Sequence, residues 1–148
     1  MKMVTLREYV RKRNGVPLGA KGSLRNMFYR SLGSNQFSGF WHYWNPIWGY
    51  YLGKFIFKPL RNKLSINVSI ILTFFVSGFI HDLVVSLVFL KIVIIITPWF
   101  VLMSFCLVIS NHLEIRIKSS VWFYRAIINI CYIGGCLLLA LTFKGMYT

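Results

Sequence analysis

Long apolar stretches fill the second half of the chain and predict three membrane-spanning helices. They cover about residues 66–90, 92–111 and 121–143. Each reaches the roughly 20 residues that a helix needs to cross the hydrocarbon core of a bilayer. Lys91 separates the first two stretches, so the turn between them must be tight, and Pro98 is expected to kink the second stretch near its start. The pattern predicts an all-α membrane protein with about three transmembrane helices.

An aromatic segment at residues 40–60 precedes the first span. Its large side chains recur at helical spacing, and they are Trp41, Trp44, Trp48, Tyr51, Leu52 and Phe55. Asn45 followed by Pro46 is typical of an N-cap and a first helical position, and Pro59 favours the end of the helix. Because Trp and Tyr concentrate at the level of the lipid headgroups, we predict a helix that lies at the interface or re-enters from it.

A short helix is predicted near the N-terminus, at residues 3–15. Thr5 and Glu8 have the spacing of a capping box, in which each side chain satisfies a free backbone amide of the first turn. Asn14–Gly15 is typical of a helix end. The helix carries apolar residues on one face among basic ones, which suits an anionic bilayer surface. The alternative is a solvated basic tail.

Residues 14–39 are rich in Gly, Ser, Asn and Lys, and predict a loop with one helical turn at residues 24–29. We therefore divide the chain into a basic, cytoplasmic N-terminal region at residues 1–39 and a membrane domain at residues 40–148. The basic start is not followed directly by an apolar run, as it would be in a signal peptide. Insertion is therefore expected to depend on the internal spans.

The composition supports a membrane protein. Hydrophobic types make up 57% of the 148 residues and charged types 14%, whereas charged residues reach roughly 25% in a typical soluble domain. These values exclude a disordered chain, a secreted disulfide scaffold and an ordinary soluble enzyme. Lys and Arg number 17 against three acids, a net charge of +14. Such a charge can bind nucleic acid, but the apolar stretches assign it to the membrane surface, and no nucleic-acid partner is expected.

The distribution of basic residues predicts the orientation of the spans, because cytoplasmic loops are enriched in Lys and Arg. Those nearest the spans are Lys54, Lys58, Arg61 and Lys63 before the first, and Arg116 and Lys118 between the second and third. We predict a multi-pass protein with its N-terminus and the 112–120 loop in the cytoplasm. Lys91 and the C-terminus are then external.

Neither the cysteines nor the histidines have the spacing of a metal site, so no metal is expected. The cysteines are Cys106, Cys131 and Cys136, and the histidines are His42, His81 and His112. Cys131 and Cys136 would point about 140° apart on a helix and are poor disulfide partners. All three cysteines are predicted to be buried, inert thiols.

His81 and Asp82 are the polar residues that stand out in the first span. An Asp at the centre of a spanning helix costs about 2.5–3.5 kcal/mol, so it needs a partner and usually has a function. His81 shares a helix face with Ser77 and Gly78, and would look over a notch made by these small residues. A neutral imidazole there can act as a general base. Asp82 is expected to pair with a Lys, Arg or Trp side chain of the aromatic segment. The alternative is a packing hydrogen bond without chemistry.

The aromatic segment contributes a second candidate, Asn45, with His42 three residues before it. Asn45 could contact a substrate, and the alternative is a purely structural N-cap; both roles are compatible. Gly49 and Gly53 form a GxxxG pair, which permits close approach of another helix. That pair is expected to bring residues 41–58 near the first span.

The aromatic segment and the polar pair together resemble the membrane-bound O-acyltransferase family. The matching residues are Phe40, Trp41, Trp44, Asn45, Trp48, Phe57, Lys58, Pro59 and Leu60, then Ser77, Gly78, His81 and Asp82. Their order and spacing are similar to those of the wax-synthase-like branch and of the sterol or diacylglycerol acyltransferase branch. The resemblance covers about residues 38–90.

The resemblance implies an enzyme that moves an acyl group from a thioester, usually acyl-CoA, to a hydroxyl acceptor inside the bilayer. By match, His81 would be the general base and Asn45 would position the reactants. Trp44, Ser77, Gly78 and His42 are the candidate substrate-binding residues, and Asp82 is structural. No cofactor is expected. Three spans can hardly enclose both substrates, so a second copy or a partner subunit is predicted. The alternative function is a non-catalytic membrane interaction or lipid-binding protein derived from such a transferase.

Overall fold

The computed structural model of this chain describes residues 4–145, and all regular secondary structure in that range is helical. The helices are α1 (Leu6–Asn14), α2 (Ser23–Leu32), α3 (Phe37–Tyr43), α4 (Pro46–Leu52), α5 (Lys58–Arg61), α6 (Ile66–Phe89), α7 (Ile96–His112) and α8 (Trp122–Gly145). Residues 1–3 and 146–148, the two ends of the predicted domains, lie outside the described residues. The predicted all-α membrane class is confirmed.

Helix α1 begins and ends through contacts within its own sequence. The Thr5 hydroxyl accepts from the Glu8 amide at 3.3 Å, and the Glu8 carboxylate accepts from the Thr5 amide at 2.9 Å. Gly15 closes the helix in the left-handed region, with φ 80°, and its amide donates to the Arg11 carbonyl. The predicted capping box and helix end are confirmed, while the predicted start at Met3 lies outside the described residues.

Residues 14–39 are more helical than predicted, because distant side chains satisfy the free carbonyls at the end of α2. The indole of Trp122 donates to the Tyr29 carbonyl at 2.8 Å. The amide of Asn129 donates to the carbonyls of Leu32 and Ser34, each at 2.9 Å. These contacts from α8 stabilise the α2–α3 turn, so the prediction of one helical turn in a loop was wrong.

The aromatic segment forms two helices separated at Trp44–Asn45. Asn45 has a left-handed backbone, with φ 37°, and its Oδ1 accepts from the Trp48 amide at 3.2 Å. The predicted N-cap, followed by Pro46, is therefore confirmed. Pro59 does not end the helix as predicted. A π-helical turn at Gly53–Phe57 precedes it and leads into α5.

Helices α6 and α8 are long and apolar enough to cross a membrane. Helix α6 has 24 residues with a mean hydropathy of 2.0, and residues Trp122–Thr142 of α8 reach 1.7. The buried residues of α6 are small or polar, namely Ser69, Thr73, Ser77, Gly78 and Asp82. Large apolar side chains on other faces are exposed, including Phe75, Phe79, Leu83 and Leu87. Small residues at helix contacts and large apolar residues outside are typical of membrane helices.

Helix α7 starts later than predicted and has 17 residues, fewer than the roughly 20 of a full span. Leu90 ends α6 in the left-handed region, with φ 51°, and no helix forms from 91 to 95. Ser86 holds this connection, because its hydroxyl accepts from the Val93 amide at 2.9 Å. Pro98 lies in the first turn of α7, where its missing N–H costs no helical hydrogen bond.

The core joins α3, α7 and α8 through Phe37, Phe40, Met103, Leu107 and Cys136. Phe37 stacks on Tyr132 of α8 with ring centroids 4.8 Å apart. The sulfurs of Cys106 and Cys136 lie 3.5 Å apart at this contact. Only Cys136 is buried, whereas Cys106 is partly exposed and Cys131 is exposed, so the prediction of three buried thiols is confirmed for Cys136 alone. Cys131 and Cys136 are five positions apart, which places them on different faces of α8.

Candidate functional site

A cavity of about 380 Å³ lies between α1, α3, α4, α6 and α7. One face of α6 forms a wall of this cavity through Ile70, Thr73, Phe74, Ser77 and His81. Ile70 and His81 are eleven positions apart, which corresponds to about 16 Å along a helix. Most of the other walls are aromatic or aliphatic, so polar groups are few and their positions decide what the cavity can do.

His81 is held in one tautomer by its own helix. Its Nδ1 lies 2.6 Å from the backbone carbonyl of Ser77. A carbonyl oxygen only accepts hydrogen bonds, so Nδ1 carries a proton, and in the neutral ring the lone pair then lies on Nε2. A neutral histidine in this tautomer can take a proton from a group in the cavity through Nε2.

Aromatic rings hold the imidazole from two sides. Trp48 meets it edge to face with centroids 5.7 Å apart, and Phe100 of α7 lies 5.5 Å away. The Trp48 indole donates to the Ser77 hydroxyl at 2.9 Å. Ser77 therefore contacts His81 through its backbone carbonyl, and its side-chain hydroxyl contacts Trp48. Trp48 and Phe100 were not among the predicted site residues, because helical spacing alone does not tell which face of α4 or α7 meets α6.

Asn45, His42 and Trp44 line the same cavity as His81. The Asn45 carbonyl oxygen is used by the helix cap, whereas its Nδ2 makes no hydrogen bond within residues 4–145. The side chains of Asn45 and His42 are exposed to the cavity and its opening. The structure thus places the imidazole of His81 and the free amide N–H groups of Asn45 on the walls of one cavity.

Gly78 is the one predicted substrate-binding residue that lies outside the cavity lining. A Cβ added to it would come within 2.7 Å of the Thr97 Cα and 3.1 Å of the Ile96 carbonyl. Gly78 therefore permits the close approach of α7 to α6. The notch beside His81 is bounded instead by Ser77 and Phe100.

Asp82 caps α7 and faces away from the cavity. Its Oδ1 accepts from the amides of Ile95 and Ile96 at 3.1 and 2.8 Å, and its Oδ2 accepts from the Thr97 amide at 2.7 Å. The side chain is only 4% exposed. Its partners are backbone amides and not the predicted Lys, Arg or Trp of the aromatic segment. A carboxylate suits a helix N-terminus, where free amides and the helix dipole favour negative charge.

Residues 41–58 lie near the first span, as predicted, but the glycines of the GxxxG pair do not form this contact. A Cβ on Gly49 would have only the Tyr9 hydroxyl nearby, at 3.7 Å, and a Cβ on Gly53 would meet nothing within 4 Å. Both glycines line the cavity, because the large Trp48 side chain makes the contact with α6. The glycines therefore contribute open space and not helix packing.

Helix α1 supplies a basic wall of the cavity, and this packing was not predicted from the sequence. Arg13 donates from Nη1 to the His42 carbonyl at 3.0 Å, and its guanidinium lies 3.9 Å from the centroid of the Tyr9 ring. The protein around the ring partly removes water from His42 and so lowers its pKa, and the positive charges of Arg13 and Lys12 lower that pKa further. Nothing in the local sequence of α1 indicates that it packs beside residues 42–49.

Among the described residues, no group of three His, Cys, Asp or Glu side chains could hold a metal ion. The polar groups of the cavity are instead an imidazole, an amide, hydroxyls and a guanidinium. Such a set can transfer a proton and hold an oxyanion without further ligands.

A comparison with protein-family models matches residues 13–143 to the membrane-bound O-acyltransferase family, abbreviated MBOAT. A search of curated proteins and a search of solved structures found no match. The family match covers most of the chain and includes every helix that lines the cavity, apart from the first turns of α1. It confirms the family named from the sequence, while the wax-synthase-like or sterol and diacylglycerol branch stays a prediction. Membership implies acyl transfer at a membrane as the general activity. The chain belongs to the membrane-bound O-acyltransferase family.

Proposed function

We propose that this chain transfers an acyl group from a thioester, in the first instance acyl-CoA, to a hydroxyl acceptor, with His81 as the general base. The observation that carries the proposal is the hydrogen bond from His81 Nδ1 to the Ser77 carbonyl. It leaves the basic Nε2 available in a cavity with apolar walls. An imidazole whose free ring nitrogen can reach a substrate hydroxyl is what this reaction requires.

The proposed step is balanced within the two substrates and the imidazole. Nε2 takes the acceptor O–H proton while the oxygen attacks the thioester carbonyl carbon. The tetrahedral intermediate collapses, the C–S bond breaks, and the imidazolium returns the proton to the leaving thiolate. The products are an ester and a free thiol, and His81 is again neutral.

Asn45 is proposed to hold the thioester carbonyl. Its Oδ1 is fixed by the cap of α4, which orients the amide plane and leaves the Nδ2 hydrogens free for a ligand. A donor aimed at a developing oxyanion is worth about 2.7–4 kcal/mol where it has been measured. Trp44 and His42 would contact the substrates from the same wall.

We further propose a multi-pass arrangement with three crossings, formed by α6, α7 and α8. The N-terminus is then cytoplasmic and the C-terminus external, following the excess of Lys and Arg near residues 54–63 and 116–118. A reporter fused after Thr148 is expected to be accessible from outside. A cytoplasmic reporter would mean an even number of crossings, with the short α7 as the re-entrant segment.

A second copy or a partner subunit is proposed to complete the substrate path. The cavity of about 380 Å³ is near the lower limit for a drug-sized ligand and small for two substrates. Crosslinking in native membranes tests this. Transfer by a strictly monomeric chain would contradict it.

The experiment that tests the proposed reaction compares His81→Ala with His112→Ala in the reconstituted full chain. His112 lies at the end of α7, outside the cavity lining, and serves as the matched control. Loss of a general base costs a factor of about 10² to 10⁴. Transfer from acyl-CoA to lipid and sugar alcohols should fall that far in His81→Ala and stay unchanged in His112→Ala. Full activity of His81→Ala would contradict the proposal that His81 is the general base. Lipid binding without any transfer by the wild type would favour the alternative, a lipid-binding protein derived from a transferase.

A further inference from the structure

Arg13 is placed in the wall of the cavity that contains His81 and Asn45. Its side chain is half-buried, with Nη1 on the His42 carbonyl and the guanidinium plane on the Tyr9 ring. A guanidinium carries five N–H groups, and the remaining ones make no hydrogen bond within residues 4–145. One N–H group of the guanidinium is thus fixed by the protein, and the other N–H groups are available to a ligand.

The charge of Arg13 is not compensated by a carboxylate. Within the described part of the chain no ion pair joins a basic residue to an acid. Glu8 is engaged by Thr5 and Asp82 by the start of α7. Further positive charge lies close to Arg13. The Arg30 guanidinium donates to the Arg13 carbonyl at 3.0 Å, and Lys12 and Arg13 both lower the pKa of His42.

We propose that Arg13 binds a phosphate group of one of the two substrates and thereby helps to select that substrate. This inference rests on the proposed acyl transfer, whose site it extends. A guanidinium binds two phosphate oxygens at once, and such charge-assisted hydrogen bonds are about twice as strong as neutral ones. A group with more than one negative charge also suits the added charges of Lys12 and Arg30.

A purely structural role is the competing explanation. The bond from Arg13 to the His42 carbonyl joins α1 to α3, and its loss alone would loosen the basic wall. The two roles differ in one respect: a structural clamp affects charged and uncharged ligands alike. A phosphate contact affects only the ligand that carries the phosphate.

The phosphate has two candidate sources, the nucleotide part of the thioester donor or the headgroup of the acceptor. Two pairs of probes separate these sources. Coenzyme A and pantetheine share the thiol arm, and only the first carries phosphates. Glycerol 3-phosphate and glycerol share the hydroxyls, and only the first carries a phosphate.

The experiment measures binding of the four probes to the full chain in nanodiscs of neutral phosphatidylcholine. Arg13→Gln is compared with Arg11→Gln, which removes an exposed arginine of the same helix outside the cavity lining. Arg13→Gln is expected to weaken one phosphorylated probe about tenfold or more, and to leave its uncharged counterpart unchanged. Arg11→Gln should leave all four unchanged. The probe that is affected identifies the source of the phosphate.

Equal binding of both phosphorylated probes by the wild type and Arg13→Gln would overturn the inference, as would equal losses in the two variants. If Arg13→Gln does not fold, Arg13→Lys keeps the charge and must still bind the phosphorylated probe, more weakly than the wild type. If the wild type and Arg13→Lys bound the phosphorylated probe equally well at low and high salt, the inference would also be overturned. Repeating the measurement with His81→Ala separates this inference from the proposed reaction, because binding needs no base.

Discussion

His81 and Asp82 are adjacent in the chain and lie on different faces of α6. The imidazole faces the cavity beside Trp48, while the carboxylate is buried against the first turn of α7. The angle of about 100° between successive side chains on a helix separates the two roles. Proton transfer and helix capping can therefore be tested one at a time.

Asp82→Ala is expected to destabilise the protein by about 3 kcal/mol or more, because three amides of α7 lose a charged acceptor in a buried place. Asp82→Asn should destabilise the protein less, since one oxygen acceptor remains. The measurements are protein level in the membrane and thermal unfolding in detergent. Normal stability of Asp82→Asn with complete loss of transfer would show that Asp82 takes part in the chemistry.

Gly78→Ala should separate α6 from α7, because its Cβ would come within 2.7 Å of a backbone atom that cannot move independently. Overpacking of this kind costs about 1–3 kcal/mol. Gly134→Ala in α8 is the matched control. A Cβ there meets nothing within 4 Å, so that variant should be neutral or up to about 1 kcal/mol more stable. Similar thermal stability of the two variants would contradict the packing role of Gly78.

Trp48→Phe removes the donor of one hydrogen bond, and Ser77→Ala removes its acceptor. Both variants keep the hydrogen bond between His81 Nδ1 and the Ser77 backbone carbonyl. Each should lower kcat/KM by up to about tenfold. The double variant should lose no more than either single one, because the lost contact is shared. Additive losses in this double-mutant cycle would mean that the bond does not position the base.

Asn45→Gly distinguishes the two roles of Asn45. Glycine tolerates the left-handed backbone at this position and is an acceptable N-cap, so stability should fall by only a few tenths of a kcal/mol. If the amide holds the thioester carbonyl, kcat should nonetheless fall by about 10² or more. Unchanged kcat would leave Asn45 with the capping role alone.

His42 should make the protein less stable in mild acid. Its pKa is lowered in the folded state, first by burial and then by Arg13 and Lys12. The unfolded chain therefore binds the proton more readily, and stability falls as the pH drops below about 6.5, the ordinary value of histidine. His42→Gln should flatten the dependence of the thermal midpoint between pH 7.5 and 5. The same slope in the variant would assign the acid sensitivity to another group.

Features that depend on a few neighbouring residues could be predicted from the sequence. The capping box of Thr5 and Glu8 and the cap at Asn45 each require partners only three residues away. The extent of α6 follows from its continuous hydropathy, and the face that carries Ser77 and His81 follows from helical periodicity. These predictions used only geometry that a helix imposes on its own sequence.

Features that depend on distant partners could not be predicted in the same way. Helix α2 is stabilised by Trp122 and Asn129, which are more than ninety residues away in the chain. Arg13 reaches the cavity because α1 packs beside α4, and a short basic helix carries no signal for that contact. The partners of Asp82 could not be predicted for another reason. They are backbone amides, which nearly every residue has, so the residue types do not show which amides a carboxylate will contact.

The contact between Asp82 and the start of α7 also bears on the order of events during synthesis. Asp82 leaves the ribosome thirteen residues before Ile95, the first residue that satisfies its carboxylate. Until then, a lone α6 would carry an unpartnered charge into the hydrocarbon, at a cost of about 2.5–3.5 kcal/mol. The amides that stabilise this charge become available only when the next helix has begun to form. Helices α6 and α7 are therefore expected to enter the bilayer together, as a hairpin, and to leave the translocon as one unit.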